Sequence, residues 1–187
     1  MIPDATDGTF RFRYPESMTP EDVGDNLAQL VWESFSDFIT DGDAETVLGD
    51  HDLATGEGLP ADGSVEELLI YLMWAHTRGA QMAFAGRASS KMVRRSLDAL
   101  HNAVFEDMVT NGTPRSQIPL FEQHVSSRYA EYYAAAEMSD AALGEAVARH
   151  LTGAENSGGD ITGTITERAI AVAKPLGDFL GDVELVD

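Results

Sequence analysis

The chain contains no cysteine. That excludes disulfides, thiolate nucleophiles and zinc or iron–sulfur sites held by thiolates. Lysine is nearly as scarce: Lys91 and Lys174 are the only two, and the other ten basic residues are arginines. Positive charge is outnumbered throughout, with 12 Lys plus Arg against 32 Asp plus Glu. The formal net charge is −20 and the pI is near 4.3. Lys91, Arg94 and Arg95, with Arg87 just before them, make the one basic cluster. Phosphate binding needs clustered Lys or Arg, so nucleic acid is not expected as a partner. An anionic membrane surface is disfavoured for the same reason. No apolar run approaches the ~20 residues that span a bilayer. The opening "MIPDATDGTF" lacks the basic and apolar regions of a secretory signal. A soluble, cytoplasmic protein is expected.

Signature motifs are also missing. There is no Gly-x-Ser-x-Gly elbow, no phosphate-binding loop ending in Gly-Lys-Ser/Thr, and no Gly-x-Gly-x-x-Gly. "ENSGGD" at 155–160 has glycines but neither a preceding strand nor a Lys to meet a phosphate.

What is present is enough apolar residue for a core, 43% of 187 residues, which suits one domain spanning residues 1–187. A net charge this far from zero repels itself in dilute buffer. Salt at about 1 M shortens the Debye length to about 3 Å and screens that repulsion. Abundant Asp and Glu with few lysines resembles the cytosolic proteins of extreme halophiles. The alternative is an acidic protein from a GC-rich genome.

Residues 8–14, "GTFRFRY", alternate enough for one short strand within an N-terminal extension, residues 1–18. Helical periodicity then takes over. Thr19 is placed to cap a helix with Pro20 at its first position, and Val23, Leu27, Leu30, Val31, Phe35 and Phe38 form its stripe. On this wheel Glu33 and Asp37 fall on the solvent side. An acidic loop, residues 41–63, follows.

Ser64 and Glu67 read as a capping box before "VEELLIYLMWAHTRGAQMAFAG", which is apolar nearly all round and so predicts the central, most buried helix. Its Gly79, Ala80, Ala83 and Gly86 would admit a close neighbour. Further helices are expected from Ser89 or Ser90, from Pro119, after Ser139, and after a second capping box at Thr164 and Glu167. Pro175 should kink or end the last one. About six helices with short links predict an all-α, single-domain bundle.

Three sets of residues are candidates for function. Residues 41–52, "DGDAETVLGDHD", place Asp41, Asp43, Glu45 and Asp52 where a calcium loop holds ligands. Thr46 stands where that loop needs Gly, however, and no exit helix follows, so a solvated acidic loop is the stronger reading. His76 and His150 fall on inward faces of two helices, where imidazoles that meet a carboxylate would bind a metal or act as acid and base. Only Asp98 and His101 have the i, i+3 spacing of bundle metal sites, which does not make a di-iron pattern. On the fourth helix Arg128 neighbours Tyr129, Tyr132 and Tyr133, types favoured as interface anchors. Arg128 is placed to pair with His124 or Glu131 only as a surface contact.

The order "LLIYLMWAHTRG", "FEDM", "SSRYAEYYAAAE" and "ALGEAVARHLTG" loosely resembles the helical chaperones that assist ubiquinol–cytochrome c reductase assembly. The likeness covers roughly residues 65–152 through an Arg-x-x-x-Tyr helix and an Arg-x-Leu helix, and no functional residue is carried over from it.

These residues lead to the expectation of a non-catalytic binding or adaptor protein with a protein partner, met through Arg128, Tyr129, Tyr132 and Tyr133, with a homodimer as one form. No cofactor is expected. The alternatives are an enzyme or metal protein built on His76 and His150, and a bundle stabilised by calcium.

Overall fold

The computed structural model describes residues 16–40, 62–153 and 159–187. The expected strand at 8–14 and the four carboxylates Asp41, Asp43, Glu45 and Asp52 lie outside the described residues. Six α-helices are present among those described: α1 (Pro20–Thr40), α2 (Asp62–Phe84), α3 (Ser90–Thr110), α4 (Ile118–Met138), α5 (Asp140–Thr152) and α6 (Gly159–Gly181). A 3-10 turn at Arg115–Gln117 leads into α4. The fold is an all-α bundle, as the periodicity predicts.

The caps of α1, α3 and α5 form as the sequence implies. The Asp22 N–H donates to Thr19 Oγ1 at 3.1 Å and the Asp22 carboxylate accepts back from Thr19, which closes a reciprocal box. Ser89 and Ser139 accept from Met92 N and Ala142 N. Gly153, with φ +65°, ends α5 in the left-handed conformation that glycine favours.

The expected box at Ser64 does not form. Helix α2 begins two residues earlier, and Ser64 Oγ donates instead to Leu151 O of α5 at 3.3 Å. Glu67 turns to α4, where a guanidinium satisfies it better than a backbone amide. Helix α6 likewise begins at Gly159 rather than Thr164 and runs through Pro175 to Gly181. It continues because Ala171 and Pro175 are both exposed, so the carbonyl that proline cannot satisfy stands where solvent reaches it.

Helix α2 is central, packing against each of the other five α-helices. Residues 68–77 are buried without interruption, and Trp74, Tyr71, Leu68, Ile70 and Met73 are among the largest buried side chains. Met82 is 67% exposed, on the outer side of a last turn whose Ala80 and Phe84 are buried. Gly79 does give room to a neighbour, Leu176 of α6, whereas Gly86 serves a left-handed turn after the helix at φ +73°.

The two described ends of the chain are joined. Strand β1 (Glu16–Met18) pairs in parallel with β2 (Val183–Leu185), Ser17 opposite Glu184. This pairing was not foreseen, because three-residue strands carry too little alternation to read.

Candidate functional site

The face of α4 expected to meet a partner is used within the chain. Arg128 makes a bidentate pair with Glu67 of α2 at 2.7 to 3.1 Å, not a surface contact with His124 or Glu131. The arrangement is partly sheltered, with side-chain exposures of 22% and 13%. It raises the Arg128 pKa, chiefly through the hydrogen bond to Glu67.

Tyr132 is fully buried against Trp74 and Tyr71. Tyr129 bonds His101 Nε2 at 2.9 Å and Thr77 Oγ1 at 3.3 Å. Tyr133 packs edge-on to Trp74 and donates to Gln81 at 2.8 Å. Burial raises the pKa of all three tyrosines. These four residues hold α4 to α2 and α3, and of the four only Tyr132 is fully buried. The polar side of α4 continues the clasp: His124 meets Glu66, and Glu131 accepts from Arg149 and His150.

The candidate histidines go to different partners. The two rings of His150 and Tyr132 touch, and His150 Nε2 meets Glu131 at 2.6 Å. His76 is 2% exposed. Its Nδ1–H donates to Leu72 O at 2.8 Å, one turn back on α2, and its Nε2 faces Ser34 Oγ of α1 at 3.5 Å. No hydrogen bond or ring contact joins His76 to His150 among the described residues. Nor is there, among those residues, any group of three or more His, Asp or Glu placed to hold a metal ion. Asp98 and His101 do not form a ligand pair: His101 Nδ1 bonds Leu97 O at 2.6 Å and its Nε2 meets Tyr129. No described helix is long and apolar enough to cross a membrane.

The structure brings His76 to a place the sequence did not suggest. A cleft of about 530 Å³ opens between α1, α2 and α6. Leu30, Phe38, Leu72, Val172, Leu176 and Phe179 give it apolar walls, and His76 and Ser34 stand among them. Asn26, Gln29, Glu33 and Asp37 line its α1 side. Glu33 and Asp37 are exposed, as the helical wheel implies, yet the solvent they face is this cleft. The wheel of a single helix shows which face is wet but not what stands across from it.

The site's chemistry follows from burial and tautomer. Burial lowers the His76 pKa below its ordinary value, against a smaller opposing effect of the Leu72 bond. The ring is therefore neutral near pH 7. With the proton on Nδ1, Nε2 carries a lone pair toward Ser34. Asn26 and Gln29 each turn an amide N–H to the chain's own acceptors, Asp22 O and Glu33. The cleft thus combines an apolar enclosure with a few convergent polar groups, the usual make-up of a small-molecule site.

No family model matches the sequence, and no match is found among curated proteins or solved structures. The loose resemblance over residues 65–152 therefore carries no family assignment, and function is argued from this chain's own side chains.

Proposed function

We propose that the protein is a non-catalytic binding protein whose ligand occupies the cleft between α1, α2 and α6. The observation that carries this reading is the cleft itself, about 530 Å³ in volume, apolar-walled, with a buried imidazole turned toward it. Pockets of roughly 300–1,000 Å³ with this mixture are where small ligands are enclosed. The acidic composition suits a cell interior of high salt, where the charge of −20 is screened.

The reading is tested with a neutral apolar dye, Nile red, added to the full chain in about 1 M salt. Single-site binding with fluorescence enhancement is expected. An Ala171→Trp change, at an exposed position on the α6 wall, should plug the cleft and abolish that signal while leaving the melting temperature unchanged. Dye that binds the plugged variant equally well would place the apolar site elsewhere and overturn the reading.

Catalysis by Ser34 and His76 is the second reading, favoured by their 3.5 Å contact. Two features weigh against it. Nδ1 of His76 is held by a backbone carbonyl rather than a carboxylate, so a developing imidazolium gains little. Ser34 also lies inside α1, where backbone N–H groups are used by the helix and none is offered to an oxyanion. A serine-directed fluorophosphonate that labels Ser34, with labelling lost in His76→Gln, would replace binding by hydrolysis as the function.

A further inference from the structure

We infer that the cleft selects a neutral alcohol, whose hydroxyl group donates to His76 Nε2 and accepts from Ser34 Oγ while an apolar body fills the space above. This rests on the reading of the cleft as the ligand site and adds the chemistry of what enters it.

Burial divides the lining in two. Gln29, Glu33, Asp37, Ala171 and Pro175 are exposed and form the rim. Their donors and acceptors are mixed, Gln29 donates to Glu33 at 2.8 Å, and water reaches them all. Phe38, Leu72, His76 and Leu176 are buried and form the floor, with the half-buried Ser34 beside them. A ligand's polar group therefore exchanges water for protein partners at the floor rather than at the rim.

The floor side chains with polar atoms are His76 and Ser34, and the role of the imidazole is fixed. Leu72 O, 2.8 Å from Nδ1, can only accept, so the ring proton sits on Nδ1 and Nε2 is an acceptor. The Ser34 hydroxyl stands 3.5 Å from Nε2, longer than the ~3 Å of a well-formed O–H bond. A buried acceptor with so weak a partner is costly to leave as it is. The pair thus presents one acceptor that lacks a close donor and one hydroxyl able to donate.

A ligand hydroxyl answers both, since it carries one donor and can accept at the same oxygen. An ammonium brings three donors, and with a single lone pair at Nε2 and one hydroxyl oxygen to meet them, a charged N–H is left against Phe38, Leu72 or Leu176. A carboxylate has no donor for Nε2 and must pass Glu33 and Asp37 at the rim. An ether oxygen accepts from Ser34 but leaves Nε2 unmet. The walls, among them Leu30, Val172 and Phe179, favour an apolar body behind the hydroxyl.

The probes are phenylbutanol, its methyl ether and phenylbutylamine, which share one apolar body. Each is titrated as a competitor of Nile red on the full chain in about 1 M salt, where the Debye length of about 3 Å screens the general attraction of a −20 surface for the amine. The methyl ether carries one more carbon, so apolar burial alone would make it the tighter ligand. The inference predicts the opposite order: the alcohol should bind ~5-fold more tightly than the ether, and more tightly than the amine. Ser34→Ala should weaken the alcohol by ~3–5-fold, whereas Ser127→Ala, at an exposed hydroxyl on α4, should leave it unchanged. His76→Phe should reverse the order of alcohol and ether; if that variant does not fold, Ser34→Ala makes the test.

An ether or amine that binds as tightly as the alcohol, or alcohol binding that ignores Ser34→Ala, overturns the inference. If Nile red binds the cleft and none of the three probes competes, the alcohol inference falls and the cleft reading stands. If the dye itself does not bind in the cleft, both fall.

Discussion

Among the described ion pairs, Glu67 with Arg128 is the most sheltered, and it ties α2 to α4 by three N–H···O bonds. Removing one partner strands the other in a site where water only partly replaces it. We expect Glu67→Leu to cost about 2 kcal/mol, less than the ~3–5 kcal/mol of a fully buried pair. Joining it to Arg128→Met should recover most of that loss, since two apolar side chains fill the same space without a stranded charge. Denaturant midpoints of the two single variants and the double variant decide this; additive losses would mean that the pair contributes little. The pairing was not legible in the sequence, where 61 positions separate the two residues and Glu67 has a plausible local use as a cap.

Titration offers a second expectation at this scale. Burial lowers the pKa of His76 and His101 in the folded chain. Below the unfolded value of about 6.5 the unfolded chain binds protons that the folded one does not. Stability should therefore fall as pH drops through about 6.5, and stop falling once pH passes the lower folded values. A His101→Gln variant should show a shallower acid slope in urea midpoints taken from pH 8 to 5. Tyr71, Tyr129 and Tyr132 act oppositely, because burial raises their pKa values. Above about pH 10 the unfolded phenols ionise first and stability falls again.

At the scale of elements, α1 lies tightly against α3 at Gly24. A Cβ there would lie 2.4 Å from Ala99 Cβ, 2.6 Å from Ser96 O and 2.8 Å from Leu100 N. Two of these three are backbone atoms that no side-chain rotation can move. Gly24→Ala should therefore force the helices apart and cost roughly 1–3 kcal/mol, despite alanine's better helix propensity. Gly177→Ala, in α6 with nothing within 4 Å, should gain about 0.5–1 kcal/mol instead. Opposite signs in the two melting temperatures are the result to look for; equal gains would show that the α1–α3 contact yields freely.

This contrast marks what was legible. Periodicity located the six described helices, because each must turn an apolar stripe inward: Leu100 and Val104 of α3, and Leu143, Val147 and Leu151 of α5, are buried. It did not distinguish Gly24 from Gly177, since the difference lies in the helix opposite. The candidate site was legible only in part. His76 stood out as a histidine on a buried stripe, but Ser34, Glu33 and Pro175 gain meaning only once α1, α2 and α6 surround one space.

For the molecule as a whole, the two described ends of the chain are held together in a protein that otherwise repels itself. Arg87 donates to Leu180 O, Gly181 O and Val183 O between 2.9 and 3.0 Å, and so anchors the approach to β2. Arg95 bridges Glu21 of α1 and Asp187 beyond β2. Against these attractions stands the net charge of −20. Two like charges ~20 Å apart in water repel by about 0.2 kcal/mol, and a net charge of this size amounts to roughly two hundred such pairs. The unscreened total is a few tens of kcal/mol, part of which persists in the unfolded chain. Exposed ion pairs such as Arg115 with Glu106 contribute little, because water and salt screen them. Repulsion therefore outweighs them, and the melting temperature should climb steeply as sodium chloride rises from ~0.01 to ~1 M, as the Debye length falls from about 30 Å to about 3 Å. Screening depends on ionic strength and levels off near 1 M, whereas exclusion of a salt such as sulfate from the surface goes on stabilising beyond it. Chloride and sulfate compared at equal ionic strength should accordingly agree below about 0.5 M and diverge above. A melting temperature that falls with added chloride would mean that the ion pairs, and not the excess of carboxylates, govern the stability of this bundle.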